Sequence, residues 1–454
     1  MRAAAVMGLA VLVGVLAVLF LDPGPCGEEG AVVVQQARLR ASDAQPHDVF
    51  GFSLAVSHDV AVVGAFGEDG GPGSPVRRAG SAYVFERRGD GWAETASLRA
   101  PTPGLEDEFG VSVAISDGVV IIGAPLADGP APHRLADAGA AYLFRRRADG
   151  TEGWRHVATL RASDAEAGDR FGFSVGISGQ TAIVGARAED GGPASPLPEA
   201  GAAYAFSEDA AGRWHEVARL SAPDPTPGAE FGFSVAIDGE LAVVGAPREG
   251  TAFPGARPDS GSAYVFQAAA RGSPRWSLVE RLVADSSRGD RFGFSVSISG
   301  TRIVVGALRA DPPGRPDDDV GMAYVLEFAQ DGRWHEVAGL SPPDGEKLDL
   351  FGESVAISGD RVVVGAYREG AGPGSPRAGA GAAYLFERVR RVGEAPRWVE
   401  TAKLMAEDAG AGDEFGVAVA ISDTTILSGA RHGRAVPGSP EPRTGAAYVF
   451  EVCP

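Results

Sequence analysis

The twelve residues GDRFGFSVSISG at 289–300 repeat GDRFGFSVGISG at 168–179, with Ser297 against Gly176 as the one difference. Within the earlier copy, large residues (Phe171, Phe173, Val175, Ile177) alternate with small ones (Gly172, Ser174, Gly176, Ser178). That is the period of two that a β-strand requires. Ser178-Gly179 follows as a tight turn of the kind that closes hairpins. The stretch therefore reads as a building part. Its Phe-Gly pair begins at Phe50, Phe109, Phe171, Phe231, Phe292, Phe351 and Phe415, at spacings of 59, 62, 60, 61, 59 and 64.

Three further features share this period. A Gly-Ala pair begins at Gly64, Gly123, Gly185, Gly245, Gly306, Gly365 and Gly429. A segment of the form GxAYxF follows each pair, for example GSAYVF from Gly80 and GAAYLF from Gly139. A tryptophan then opens a fourth element at Trp92, Trp154, Trp214, Trp276, Trp334 and Trp398. Each unit thus predicts four strands. Self-similarity at a fixed period marks a repeat architecture, and four-stranded sheets repeated seven times predict an all-β, seven-bladed β-propeller.

The tryptophan count tests closure of the ring. Seven Phe-Gly units carry six tryptophans, and the chain ends soon after the seventh GxAYxF segment. Trp precedes the next Phe by seventeen residues in five of six cases, and seventeen residues before Phe50 stands Val33. The N-terminal strand at 31–40 is therefore expected to complete the last blade. Closing the ring removes exposed sheet edges. The expected blade cores are 50–99, 109–161, 171–221, 231–283, 292–341, 351–405, and 415–452 with 31–40, which makes 31–454 a single domain.

These Phe-Gly pairs, Gly-Ala pairs and GxAYxF segments resemble the FG-GAP repeat, the unit of the integrin α-subunit propeller and of many bacterial exported proteins. The resemblance covers roughly residues 31–452 and implies the propeller fold. Integrin repeats often carry a calcium loop between their first two strands. Here that connection is only a tight turn such as Asp238-Gly239, too short to supply six to eight oxygen ligands. No cofactor is expected, and calcium is not carried over.

Composition bounds the rest. Glycine (64) and proline (32) make up about a fifth of the 454 residues, which suits short strands and turns. A formal charge of −19 disfavours nucleic acid and anionic lipid as partners. Arg2 precedes an uncharged apolar run at 3–21. Residues 1–30 are read as a signal peptide or a retained membrane anchor with a short linker, which would place 31–454 outside the cytoplasm, secreted or held at the cell envelope.

Two sets of carboxylates recur. Asp48, Asp107, Asp169, Asp290, Asp349 and Asp413 stand two residues before each Phe except Phe231. Asp43, Asp164, Asp224, Asp285, Asp344 and Asp408 stand seven before. Both sets are expected to accept backbone N–H bonds in the blade-to-blade turns; the sharper alternative is a carboxylate ring for cations or a basic partner. The tryptophans sit at a fixed register, which favours packing over a sugar platform. The seven histidines show no metal-ligand spacing. Cys26 and Cys453 flank the cut hairpin of the last blade, so a Cys26–Cys453 disulfide is expected; a lipidated or free Cys26 is the alternative.

No catalytic constellation is visible in the sequence.

 

The chain is thus read as a monomeric recognition or adhesion module rather than an enzyme. Its partner, a protein or a glycan, would meet the long, variable connections between the Gly-Ala pair and the GxAYxF segment. These fall on one face of the ring, and loops on a rigid scaffold are where binding usually sits. Two other readings stay open. One is a hydrolase or lyase with its site in the central funnel, for which Glu353 and Asp317-Asp318-Asp319 are the departures from the repeat that could serve; the other is a structural envelope protein without a small ligand.

Overall fold

The computed structural model describes residues 32–453 except 70–75, 131–133, 148–152, 192–196, 251–258, 271, 285–288, 316–317, 371–376, 392 and 435–442. The leader or anchor read at 1–30, Cys26, Asp285 and the tips of most long connections lie outside the described residues. Twenty-eight strands, β1–β28 in chain order, and no helix occur among those described. They form seven four-stranded antiparallel sheets, the blades of a β-propeller. The first blade holds β2 (Ser53–Ser57), β3 (Val60–Ala65), β4 (Ser81–Arg88) and β5 (Gly91–Leu98), from the axis outward.

The last blade has the order β26 (Phe415–Ser422), β27 (Thr425–Ala430), β28 (Ala446–Val452), β1 (Val33–Leu39). The first strand of the chain thus takes the place that a Trp strand holds in the other six. The register makes the equivalence close. In the first blade the β4–β5 pairing slips between Val84 and Phe85, so that Thr95 is extra. The β28–β1 pairing slips at the matching point, between Gln35 and Ala37 opposite Phe450 and Val449. Such β-bulges are built features of a sheet. Phe50 also bridges Gly445 across the seam, as Phe109 bridges Gly80 between the first two blades.

The repeated glycines make the joint between blades. Gly110 has φ +95°, a conformation that costs glycine little. Its carbonyl accepts the Ser53 hydroxyl of the preceding blade at 2.8 Å. The same carbonyl oxygen lies where a Cβ on Gly64 would be, only 2.0 Å away. Phe-Gly, Gly-Ala and the serine are therefore three parts of one contact. The bond recurs from Ser112, Ser174, Ser234 and Ser295. Ala418 holds the serine's place in the last blade, so the seam lacks this hydroxyl.

The core lies between neighbouring blades rather than at one centre. The Phe50 ring sits 5.6 Å from Tyr83 and 6.0 Å from Phe85, and the pattern recurs around the ring. All seven Phe-Gly phenylalanines are at most 1% exposed. Burial of each side chain contributes about 1.5–3 kcal/mol. Trp154 and Trp214 pack against these clusters from the outer strands, and their indole N–H groups have no hydrogen-bond partner. Packing is their role in the fold.

Candidate functional site

The carboxylates two residues before each Phe face inward to their own turns. Asp48 accepts the Gln45 N–H at 2.5 Å and Asp169 the Glu166 N–H at 2.6 Å. Asp107, Asp349 and Asp413 accept the matching bonds from Gly104, Glu346 and Gly410. Asp290 is buried in the same place. All six are 3–6% exposed, which leaves little surface for an external cation. Burial pushes the Asp48 carboxyl up to about 7, and those of Asp169 and Asp349 to about 6. It raises Asp107 and Asp413 as well.

A pH dependence follows. Unfolded, these side chains titrate near pH 4. Between that value and 6–7 the folded state holds more protons, so their stabilising contribution is full below about pH 4 and is lost as pH rises through 6–7. The thermal midpoint is expected to be a few degrees higher at pH 5 than at pH 8. Asparagine keeps the acceptor oxygen without titrating. The triple variant Asp48→Asn, Asp169→Asn, Asp349→Asn should show a flatter profile in calorimetry; an unchanged slope would contradict this account.

The second set behaves differently from the expectation. Asp43, Asp164, Asp344 and Asp408 accept the hydroxyl of a third-strand tyrosine, at 2.7–2.9 Å. Arg99 and Lys403 bind the same carboxylates of Asp43 and Asp344. A buried glutamate four residues after the Gly-Ala glycine joins the network in four blades, at Glu68, Glu189, Glu249 and Glu369. Sequence reading missed these glutamates, although GEDG, AEDG and two REG runs carry the signal. The groups satisfy one another inside each blade. They hold the blade-to-blade connection to its sheet.

The run Gly172–Gly176 has the form G-x-S-x-G, but it lies wholly within a strand. Its Ser174 hydroxyl donates to the Gly232 carbonyl, so it is a joint and not a strand-to-helix nucleophile elbow. No group of three His, Cys, Asp or Glu side chains placed to hold a metal ion occurs among the described residues.

The differences between blades gather at one end of the axis. A cavity of about 360 Å³ is lined there by the second to fourth residues after each Phe, from all seven blades. It opens at the end where the blade-to-blade and second-to-third connections lie. The first of these positions holds Phe52, Phe173, Phe233 and Phe294, valine in two blades and Glu353 in the sixth. Phe233 is 5.1 Å from Phe173 and 4.7 Å from Phe294, an aromatic arc along one wall. The wall serines are already engaged by the blade joints.

Arginines ring the mouth. They follow the Gly-Ala pair at Arg187, Arg248, Arg309, Arg368 and Arg431, one from each of five consecutive blades. Arg187 lies 4.3 Å from the Phe173 ring centre and, with Arg248, pairs with Glu230 at 3.1 and 3.2 Å. Arg431 pairs with Glu414 and stacks on Tyr367. The residue before each Phe has φ between +55° and +59°, in all seven blades. Glu230, Arg291 and Glu414 occupy this uncommon conformation beside the mouth. Burial pushes the half-buried Glu353 up to about 7, against the pull of Arg431, Arg368 and Arg291.

The model of the FG-GAP repeat family matches the chain seven times, at 33–85, 92–144, 154–206, 214–266, 276–326, 334–386 and 398–450. Each match starts on an outer strand and runs through the third strand of the next blade, so the first starts in β1. No curated protein matches the chain.

Proposed function

Since the chain belongs to the FG-GAP repeat family, we propose that it is a non-enzymatic recognition module that binds a protein or glycan outside the cytoplasm through the funnel-mouth face. One observation carries this reading. The residues common to the blades are spent on joints and core, whereas those that differ cluster around one opening. The apolar run at 3–21 supports export. Binding is expected to need no calcium. Protein and glycan arrays probed with the purified ring, with and without calcium, test the proposal. Capture that is lost when the connection at 69–78 is replaced by a Gly-Ser linker supports it. Capture that survives every such replacement on this face, or no capture at all, overturns it.

The oxidised seam belongs to the same proposal. Cys453 is 1% exposed, and its N–H donates to the Val32 carbonyl at 2.9 Å, so the two ends of the ring meet there. A Cys26–Cys453 bond would tie them covalently. Loop-closure entropy sets an upper bound of roughly 5–6 kcal/mol on its contribution. Reduction is expected to lower the thermal midpoint. Two thiols open to alkylation in denatured, unreduced protein from an oxidising compartment would contradict the bond.

A further inference from the structure

Three residues from each blade line the axial funnel, and Glu353 is the one charged side chain among them. The same position holds Phe294 in the preceding blade and Val417 in the following one. At the third lining position every blade has leucine or valine. The rings of Phe52, Phe173, Phe233 and Phe294 are half-buried, so each leaves part of its surface to the funnel. The sixth blade departs at the next residue too. Ser53, Ser112, Ser174, Ser234 and Ser295 donate to glycine carbonyls, whereas the Ser354 hydroxyl accepts the Val419 N–H at 3.0 Å. A carboxyl group and a serine turned away from its joint thus stand side by side on an otherwise apolar wall.

A ligand for such a wall needs an apolar body, and the groups around Glu353 decide the charge of its head. Arg187 lies 4.3 Å from the Phe173 ring centre and 5.7 Å from that of Phe233, and Arg431 lies 5.9 Å from that of Phe52. The protein's own cations thus already cover these rings. Arg431, Arg368 and Arg291 also act on Glu353, against Glu414, so a positive head would enter against like charge. A negative head would meet the ionised Glu353. Burial pushes that carboxyl up to about 7, so both of its forms are present near neutral pH. A neutral hydroxyl, which donates as well as accepts, pairs with either form.

We propose that the axial funnel binds a small neutral alcohol or phenol, its apolar body against Phe173, Phe233 and Phe294 and its hydroxyl against Glu353. The three rings come from consecutive blades, with 5.1 and 4.7 Å between neighbouring centres. Glu353 continues the same row in the next blade. All four residues line one cavity, whose volume of about 360 Å³ suits a small ligand. A site built to bind one hydroxyl discriminates strongly against an analogue that lacks it, because its own polar group is then left unpaired.

The site rests on the reading of this face as the working face, but the two fail separately. Hydrocinnamyl alcohol, its methyl ether, hydrocinnamylamine and hydrocinnamate share one body and differ in the head. Titrated into the full-length protein by calorimetry, the alcohol is expected to bind and each of the others to bind at least about tenfold more weakly. Phe233→Val and Glu353→Val each introduce the residue that the second and seventh blades carry at this position, Val111 and Val417, so both variants should keep the fold and its circular dichroism. Phe233→Val should lose about tenfold in affinity for the alcohol. Glu353→Val should bring alcohol and ether within about threefold of each other. Equal affinity of the native protein for alcohol and ether, tighter binding of the amine or the carboxylate, or an unchanged affinity for the alcohol in Phe233→Val overturns the site. Alcohol binding without array capture keeps the site and removes the macromolecular partner. Array capture without alcohol binding overturns the site and leaves that partner standing.

Discussion

Gly185→Ala is expected to cost more than about 4 kcal/mol and to leave little folded protein at 37 °C. Its Cβ would lie 2.0 Å from the Gly232 carbonyl oxygen and 2.4 Å from the Ser174 hydroxyl. The carbonyl belongs to the next blade's backbone and is held by that hydroxyl at 2.8 Å. Making room means opening the joint between two blades. Gly91→Ala supplies the comparison, because no atom lies within 4 Å of its Cβ position. It should change stability by no more than about 0.5 kcal/mol. Urea denaturation of the two variants reads the difference, and similar midpoints would contradict the joint as described.

Removal of residues 33–39 is expected to cost the protein its solubility. β1 covers the outer edge of β28 along its whole length, from Val33 opposite Val452 to Leu39 opposite Ala447. Leu39 and Val452 are 3% and 1% exposed. Arg38 also pairs with Asp408 at 2.5 Å, beside the Tyr448 hydroxyl. Without the strand, an apolar edge and an unpaired carboxylate face water. Bare edges of this kind pair with other chains. Size-exclusion chromatography of the shortened protein should find aggregate in place of monomer. A monomer with the full-length melting temperature would show that β1 is dispensable.

The fold was legible because each blade repeats the same joint. Phe-Gly, Gly-Ala and GxAYxF mark the places where backbones meet most closely, so they tolerate little change from blade to blade. The place of β1 followed from a missing tryptophan and a seventeen-residue spacing. The binding surface was far less legible. Phe173, Phe233 and Phe294 come from three different blades, and only the packing of blade on blade makes them neighbours. Glu353 stood out as a break in the pattern, but its arginine neighbours did not. The buried glutamates at 68, 189, 249 and 369 escaped notice because three blades replace them with alanine or glycine. The tyrosine partners of the second aspartate set were hidden too, since they lie 40 residues away.

Head-to-tail closure is the claim on which the rest depends, and hydrogen–deuterium exchange tests it most directly. In a closed ring the amides of 446–452 lie in an interior strand, paired on both sides. They should be protected as strongly as those of 140–146 and 202–208, the matching strands of two other blades. Exchange as fast as at the outer strands 154–160 and 214–220 would mean that β28 is a free edge and the ring is open.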